Sequence, residues 1–246
     1  MPVESRSSAA NAAHFHSQAD DVFGRIASRY DLLSDLFSFG IHRLWKRRVA
    51  TLIAREPWTD LLDAAAGTGD VVLRVIRQQR LQQHQKIIVS DVSPQMLAIA
   101  QRRANGNPAL EFRVLDAHAM HGIADASLDM YSISLGLKIC DRKRIYSEAL
   151  RVLRPGGRLV ALEASNIAWS WLHRAYLAYM SVCMPVIGWI ATGGDASAYR
   201  YPLRGIQDFP AAEALAAELE AVGFEDVAFE RLTLGIVAIH LARKPG

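Results

Sequence analysis

The sequence is poor in cysteine, proline and long apolar runs, and each shortage excludes a class of protein. Its 246 residues include two cysteines, Cys140 and Cys183, with neither a CxxC pair nor zinc-ligand spacing around them. We therefore expect no structural disulfide and no metal site, as in a reduced cytosolic protein. Nine prolines and sixteen glycines, beside 51% hydrophobic and 22% charged residues, exclude collagen-like and disordered chains. This balance favours one globular domain spanning residues 1–246.

Charge of one sign is not concentrated anywhere in the chain. The formal charge is +3, from 28 Lys and Arg against 25 Asp and Glu, and the basic residues are spread along the sequence. This distribution argues against nucleic acid as a partner. Residues 1–19 contain neither the apolar core of a signal peptide nor the Arg-rich pattern of a transit peptide. We expect a cytoplasmic protein with a loose N-terminus.

The longest uncharged stretch, residues 175–192, reaches only the lower length limit of a membrane-spanning helix. Pro185 and Gly188 are expected to interrupt it, and strand-like segments of one sheet lie on both sides of it. We therefore predict a lid helix over a pocket, with room for shallow contact with a membrane surface. Such contact would make the protein peripheral to the inner membrane.

Seven segments have the composition of strands, and helical patterns separate most of them. The first five are near-continuous apolar runs, which is typical of parallel strands covered by helices on both faces. Only Thr233 and Leu234 separate the last two, too few residues for a parallel crossover, so one strand is expected to run antiparallel. The expected strands are Asp60–Ala65, Lys86–Asp91, Leu110–Leu115, Leu128–Ser134, Arg158–Glu163, Asp226–Leu232 and Gly235–Ala242. Helices are expected at 70–82, 93–105, 141–152 and 210–222, and a turn at 154–157.

Two segments are extra to this Rossmann-like α/β sheet. Residues 20–56 predict two amphipathic helices that form an N-terminal cap, and residues 164–208 form an insertion after the fifth strand. Both can cover the carboxyl ends of the strands, where open α/β sheets bind their ligands.

A Gly-x-Gly turn follows the first strand. Gly67 and Gly69 permit close approach of a ligand to the backbone, although a tight strand-to-helix turn alone explains them equally well. Asp91 ends the second strand, where a carboxylate can accept hydrogen bonds from both ribose hydroxyls of an adenosine. After the third strand, Asp116 can accept from an adenine amino group and Ala117 can hold the ring. Acids at successive strand ends thus favour an adenosine ligand.

The electrostatics select among adenosine ligands. The third glycine of a dinucleotide loop is missing, and Asp63 and Asp70 would repel a pyrophosphate. A sulfonium-bearing adenosine with an amino acid tail fits these acids, whereas NAD does not. The sequence therefore predicts S-adenosylmethionine as cofactor.

Several motifs resemble known methyltransferases. The loop AAAGTGD, Asp91, Asp116 and the segment RVLRPGGRLVALE resemble class I methyltransferases. More specifically, the chain is similar to the UbiE-type ubiquinone/menaquinone C-methyltransferases over about residues 22 to 241. The motifs that carry this likeness include Val22 to Asp31, Ser38 to Lys46, Ser197 to Tyr201 and Leu232 to His240.

The resemblance implies a seven-stranded class I methyltransferase fold and methyl transfer to a ring carbon of a prenylated quinol, with a homodimer as the assembly. It assigns Thr68, Asp91, Asp116, Ala117 and Ser134 to the methyl donor. The complete predicted cofactor set is Asp63, Gly67, Thr68, Gly69, Asp91, Val92, Met96, Asp116, Ala117 and Ser134.

The chain departs from the family pattern in two places. Ala66 replaces the first glycine of the loop, which is a mild change. After the fourth strand, Lys138 and Ile139 replace an Arg-Asn pair, and Lys does not substitute for Arg where a planar fork orients a ring or a water. This second departure leaves the identity of the acceptor open.

Ring methylation calls for a base near the phenolic hydroxyl. Lys138 can hold the phenolate and Asp141 can orient it, although both also suit a solvent-facing ion pair. His42 is a further candidate, with a structural hydrogen bond as its alternative. Tyr199 and Tyr201 are favoured among the polar residues of the insertion because the family resemblance includes them. Trp169, Trp171, Trp189, Met180 and Met184 are expected to form an apolar wall or to pack under the lid; His14, His16, His118 and His121 are expected at the surface.

Three other functions fit the same residues. The chain could methylate a different small aromatic compound of secondary metabolism, or the nitrogen of a lipid amine. It could also retain the cofactor for a non-methylating task, as a cyclase or a binding module. Transfer of a labelled methyl group to an acceptor would discriminate among them.

Overall fold

The fold is built on a mixed sheet of seven strands. The computed structural model describes residues 27–79, 81–192 and 203–246. Numbered along the chain, the strands are β1 Asp60–Ala64, β2 Lys86–Asp91, β3 Leu110–Val114, β4 Leu128–Ser134, β5 Leu153–Ala164, β6 Glu225–Leu232 and β7 Val237–Arg243. Their order in the sheet is β3-β2-β1-β4-β5-β7-β6. Strands β1 to β5 pair in parallel, and β7 runs antiparallel to both of its neighbours. The predicted mostly parallel sheet with one antiparallel strand is confirmed.

Helices cover both faces of this sheet. They are α1 Tyr30–Ser38, α2 His42–Arg55, α3 Asp70–Gln78, α4 Pro94–Ala104, α5 Arg142–Val152, α6 Ser170–Thr192 and α7 Ala212–Val222. One face buries the apolar sides of α2, α3 and α4 against the sheet, and the other buries α5 and α7. The two layers explain why the central strands are apolar on both sides.

Two helices begin at caps that the sequence specifies. At the start of α4 the hydroxyl of Ser93 accepts the backbone N–H of Met96, and Pro94 occupies the first helical position. At the start of α5 the carboxylate of Asp141 accepts the N–H of Arg144. Both caps lie at the carboxyl end of the sheet and fix the loops that line the site there.

The two helices predicted within residues 20–56 are α1 and α2, and they pack against different parts of the molecule. Helix α2 packs its buried side chains, Trp45, Val49, Ala50 and Ile53 among them, into the sheet face beside α3. Helix α1 instead contacts α6 through Leu33, which packs on Met180 and Met184. Helix α1 also contacts the loop after β1, where Thr68 donates to Asp31, whereas α2 covers the sheet face with its apolar side.

Three local predictions are wrong. The expected turn at 154–157 lies inside β5: it bulges at Gly156, whose φ is +78°, while backbone bonds to Lys244 hold it in the sheet. The last strand begins at Val237 rather than Gly235, since Thr233–Gly235 form a 3-10 turn in which Gly235 has a φ of +96°.

The third wrong prediction concerns the insertion. Pro185 and Gly188 do not interrupt α6, which continues for 23 residues across both. Within the ranges that the structure describes, no helix is long and apolar enough to cross a membrane.

Candidate functional site

A cleft opens where the strand order reverses between β1 and β4. It is open to solvent, and the space between its walls, counted together with the part that opens to solvent, is about 680 Å³. The loops after β1, β2, β3 and β4 form its walls, which is the position where open α/β sheets bind ligands. Seven of the ten predicted cofactor residues line it: Gly67, Asp91, Val92, Met96, Asp116, Ala117 and Ser134.

Asp91 is held in a fixed orientation at the end of β2. One carboxylate oxygen accepts the N–H of Gly67 at 2.8 Å, and the other accepts the N–H of Ser93 at 2.9 Å. These two backbone donors come from the loops after β1 and β2, so the carboxylate joins the two loops across the cleft. An anion fixed in this way can accept further bonds from the adjacent hydroxyls of a ribose.

Asp116 is fixed through His118, which the sequence had placed among surface histidines. The side chain of His118 is 8% exposed, and its Nδ1 lies 2.7 Å from a carboxylate oxygen of Asp116. Its Nε2 accepts the N–H of Asp141 at 3.0 Å, so the ring proton belongs on Nδ1, facing Asp116. The surface prediction is wrong for His118, because the ring connects the loop after β3 to the start of α5.

Contacts with two helices fix the glycine loop that follows β1. The hydroxyl of Thr68 donates to Asp31 on α1 at 2.8 Å, and Arg103 donates to the same carboxylate. Gly69 has a φ of +76°, and a side chain at this position would lie 3.0 Å from the Cβ of Ala100. Thr68 and Gly69 therefore shape the loop from behind, whereas Gly67 faces the cleft.

Asp63 lies below this loop at the end of β1. It is 1% exposed, and the hydroxyl of Ser132 donates to one of its oxygens. Its Oδ2 has no hydrogen-bond partner among the described residues. Burial raises the pKa of Asp63 to about 7, although Ser132 and the nearby Lys46 favour ionisation. Lys46 itself pairs with Asp70 at 3.3 Å.

Lys138 does not extend into the cleft. Its Nζ donates to the carbonyl of Leu135 and lies 3.4 Å from Glu163, whose side chain is fully buried. The carboxylate of Glu163 also accepts the backbone N–H of Lys138 at 3.2 Å and that of Ala164 at 2.8 Å. The carboxylate of Glu163 thus holds the turn after β4 through both the backbone N–H and the side chain of Lys138.

A short helical segment, residues 203–207, packs on the same turn. A side chain at Gly205 would overlap the carbonyl oxygen of Lys138, so only a glycine permits this approach. The turn after β4 is therefore enclosed between buried Glu163 and this segment.

The other predicted catalytic residues lie elsewhere. Asp141 caps α5 at the surface. His42 is buried at the start of α2, where its Nδ1 lies 2.8 Å from the hydroxyl of Ser38, and burial lowers its pKa to about 4. His42 therefore stays neutral and its position is structural. Tyr199 and Tyr201 lie outside the described residues.

The expected apolar wall is wrong for its tryptophans. Met180 and Met184 are buried against α1, but Trp169, Trp171 and Trp189 are 57 to 66% exposed. Trp171 and Trp189 lie on the outer side of α6 because the methionines occupy its inner side, and Trp169 immediately precedes the helix.

Sequence reasoning missed six lining residues and the buried acid beneath the turn. The lining residues are Ala65, Leu115, Leu135 and Gly136, which follow closely on strand ends, and Ile139 and Cys140, which lie farther along the turn after β4. Glu163 had a readable signal, since it is the only charged residue in the apolar half of β5. Cys140 and Cys183 are free, and no group of three potential metal ligands comes together in the described ranges.

The strand order, with a reversed β7 between β5 and β6 and a cleft at the β1/β4 switch, is that of a class I methyltransferase. A SAM-dependent methyltransferase from Thermotoga maritima superposes with a TM-score of 0.62 at 18% identity, over 92% of this chain and 99% of that one. The expected fold class is confirmed.

The sequence narrows this class to a family. The ubiE/COQ5 methyltransferase family matches residues 12–244, and the chain belongs to it. The ubiquinone/menaquinone biosynthesis C-methyltransferase UbiE of Acidiphilium cryptum is 37% identical over 224 residues, which are 89% of this chain and 88% of that protein. The protein of the same name from Rubrivivax gelatinosus is 38% identical, over 91% of this chain and 85% of its own length.

Proposed function

We propose that this chain transfers a methyl group from S-adenosylmethionine to a ring carbon of a prenylated quinol. The choice of S-adenosylmethionine as methyl donor rests on one observation. Two oriented carboxylates, Asp91 and Asp116, lie at successive strand ends in an otherwise largely apolar cleft. Membership of the ubiE/COQ5 family and the names of its relatives support the acceptor half.

The residues present fit this donor. Asp91 is placed to accept from ribose hydroxyls, and Asp116 with Ala117 to hold adenine. Two buried polar atoms, Oδ2 of Asp63 and Oγ of Ser134, have no hydrogen-bond partner within the described part of the chain. An ammonium group supplies donors that a buried carboxylate requires, whereas a pyrophosphate would bring only further acceptor oxygens to the Oδ2 of Asp63.

When bound, S-adenosylmethionine supplies an electrophilic methyl group on a sulfonium. The chain's own task is then to hold an acceptor carbon in line with that methyl group and to exclude water. Leu135, Gly136, Ile139 and Cys140 form the apolar wall that follows β4. Glu163 and Lys138 fix the backbone of this wall, which keeps the approach of a flat ring constant.

Proton removal falls to water or to a residue of the insertion. Among the described lining residues, the titratable groups are Asp91, Asp116 and Cys140. Burial raises the pKa of the Cys140 thiol to about 12, so it stays protonated at neutral pH. The two carboxylates are assigned to the donor. We therefore retain Tyr199 and Tyr201 as partners of the acceptor hydroxyl.

A second candidate, transfer to a different small aromatic acceptor, is favoured by the replacement of the family's Arg-Asn pair by Lys138 and Ile139. Since Glu163 neutralises Lys138, the wall offers no free cation to a phenolate. An acceptor whose hydroxyl ionises without a neighbouring cation would suit such a wall.

The decisive experiment offers isotope-labelled S-adenosylmethionine and demethylated menaquinol and ubiquinol precursors to the purified protein, beside a mixture of small aromatics. We expect the label in a prenylated quinol. Label in another aromatic with the quinols untouched would refute the quinol acceptor, and no transfer to any acceptor would refute the methyl transfer itself.

A further inference from the structure

The outer side of α6 is an uninterrupted apolar stripe. Its exposed residues recur every three or four positions, the spacing that places side chains on one side of a helix. They are Trp171, Ala175, Ala178, Val182, Val186 and Trp189. From Trp171 to Trp189 the stripe extends about 27 Å at 1.5 Å per residue. The four large residues are 52 to 66% exposed, whereas isolated exposed apolar residues are the usual case.

Helix α1 extends this surface. Leu32 and Leu36 of α1 are 58 and 48% exposed, and Phe39, which follows the helix, is 75% exposed. The ring of Phe39 stacks on Tyr179 of α6 at a centroid distance of 6.1 Å. We call the α6 stripe together with these three residues the apolar face. Leu33, Met180 and Met184 pack between the two helices, so α1 and α6 support each other beneath the apolar face.

The charges around the face are those that suit an anionic lipid surface. Arg174, exposed one turn from Trp171, is the only charged residue in the 23 residues of α6. The two acids of α1 are neutralised, since Asp31 pairs with Arg103 and Asp35 with Arg43. Tryptophans at both ends and an arginine beside them are typical of helices that lie in the interface of a bilayer.

The face also adjoins the cleft. Helix α1 binds the glycine loop through the bond from Thr68 to Asp31, and the 203–207 segment packs both on α6, through Leu203 and Ile206, and on Lys138. Both helices that carry the face are therefore connected to the loops that wall the cleft, α1 directly and α6 through the 203–207 segment.

We infer that the apolar face docks this protein on the surface of an anionic lipid bilayer, with α6 lying parallel to the membrane plane. The choice of a bilayer as occupant rests in part on the proposed function, because a prenylated acceptor resides in lipid and must reach the cleft from it. Docking places the cleft mouth at the surface that holds the acceptor.

The test measures co-flotation of the full-length protein with phosphatidylcholine vesicles containing 30% phosphatidylglycerol. We expect the wild type to float with these vesicles. The double variant Val182→Ser, Val186→Ser should bind roughly tenfold more weakly, since two half-exposed aliphatic side chains lose their burial in lipid. Val114→Ser is the matched control: Val114 is 58% exposed on the edge strand β3 and should leave flotation unchanged. Arg174→Gln should weaken binding to anionic vesicles by about fivefold and binding to neutral ones little.

Each contrary outcome overturns the inference. Wild type that stays with the unbound fraction, or a double variant that floats like wild type, would refute docking through this face. Sedimentation that shows a dimer abolished by the double variant, with no flotation, would assign the face to a second copy of the chain.

Methyl transfer to a short-chain acceptor dispersed in detergent separates this inference from the proposed function. The double variant should retain wild-type turnover there, because Val182 and Val186 are not among the described residues that line the cleft. Wild type that floats but transfers no methyl group would refute the proposed function and leave docking standing.

Discussion

Replacing Lys138 with methionine removes the cation that faces the buried carboxylate of Glu163. That carboxylate is fully buried and keeps two backbone donors, the N–H groups of Lys138 and Ala164. Because these donors remain, we expect a cost of about 3 kcal/mol, at the lower end for a broken buried pair. Glu163→Gln replaces one of the two accepting oxygens by an amide donor, so one backbone N–H loses its partner, at about 2 kcal/mol.

The double variant Lys138→Met, Glu163→Gln isolates the interaction between the two side chains from the separate effects of losing each one. With both charges gone, we expect a loss about 1 to 3 kcal/mol smaller than the sum of the single losses. Urea unfolding followed by tryptophan fluorescence measures all four proteins. The turnover of labelled methyl transfer should fall in each single variant in step with its stability, and donor affinity should stay unchanged, because neither side chain lines the cleft.

Two results would refute this reasoning. Additive losses in the cycle would show that the two side chains are not coupled. A Lys138→Met variant with wild-type stability but strongly reduced turnover, and no recovery in the double variant, would show that Lys138 acts on the acceptor directly.

Three further predictions concern the donor side and the segment over the turn. Asp91→Asn should weaken binding of S-adenosylmethionine by roughly a hundredfold in calorimetry, the value of two charged hydrogen bonds, whereas Asp226→Asn at the surface should not; unchanged affinity would remove Asp91 from the ribose site. The raised pKa of Asp63, about 7, means that the fold favours its protonated form. The stability from this carboxyl is thus complete below about pH 4, its unfolded pKa, and is lost as pH rises toward about 7. Asp63→Asn should flatten this decline in pH-dependent unfolding, and an unaltered profile would contradict the shift. Gly205→Ala should displace the 203–207 segment and raise hydrogen exchange there and in the turn after β4; exchange equal to wild type would contradict their packing.

The sheet was predictable because its strands are specified by short stretches of sequence. Five buried parallel strands require apolar runs, and a two-residue gap before the last strand excludes a parallel crossover. Asp91 and Asp116 were found for the same reason, since they follow directly on such runs.

What the sequence did not reveal depends on contacts between distant segments. His118 looked like a surface histidine because its partners, Asp116 and Asp141, meet only when the loop after β3 folds against the start of α5. Lys138 was a candidate to hold the phenolate, or to form an ion pair at the surface, because its partner Glu163, 25 residues away, meets it only when β4 and β5 pair.

The insertion was misjudged for a different reason. Pro185 is expected to break an isolated helix, but α6 packs in one apolar cluster with Leu33 of α1 on both sides of the proline, through Met180 and Met184 before it and Ile187 after it. Tertiary contacts thus decided where local propensity pointed the other way.

The most direct test of the account is a crystal structure of the protein with S-adenosylhomocysteine, the product left after methyl transfer. We expect its ribose hydroxyls on Asp91, its adenine amino group on Asp116 beside Ala117, and its amino acid end toward Asp63. A product bound outside the cleft at the β1/β4 switch, or one whose ribose does not reach Asp91, would contradict it.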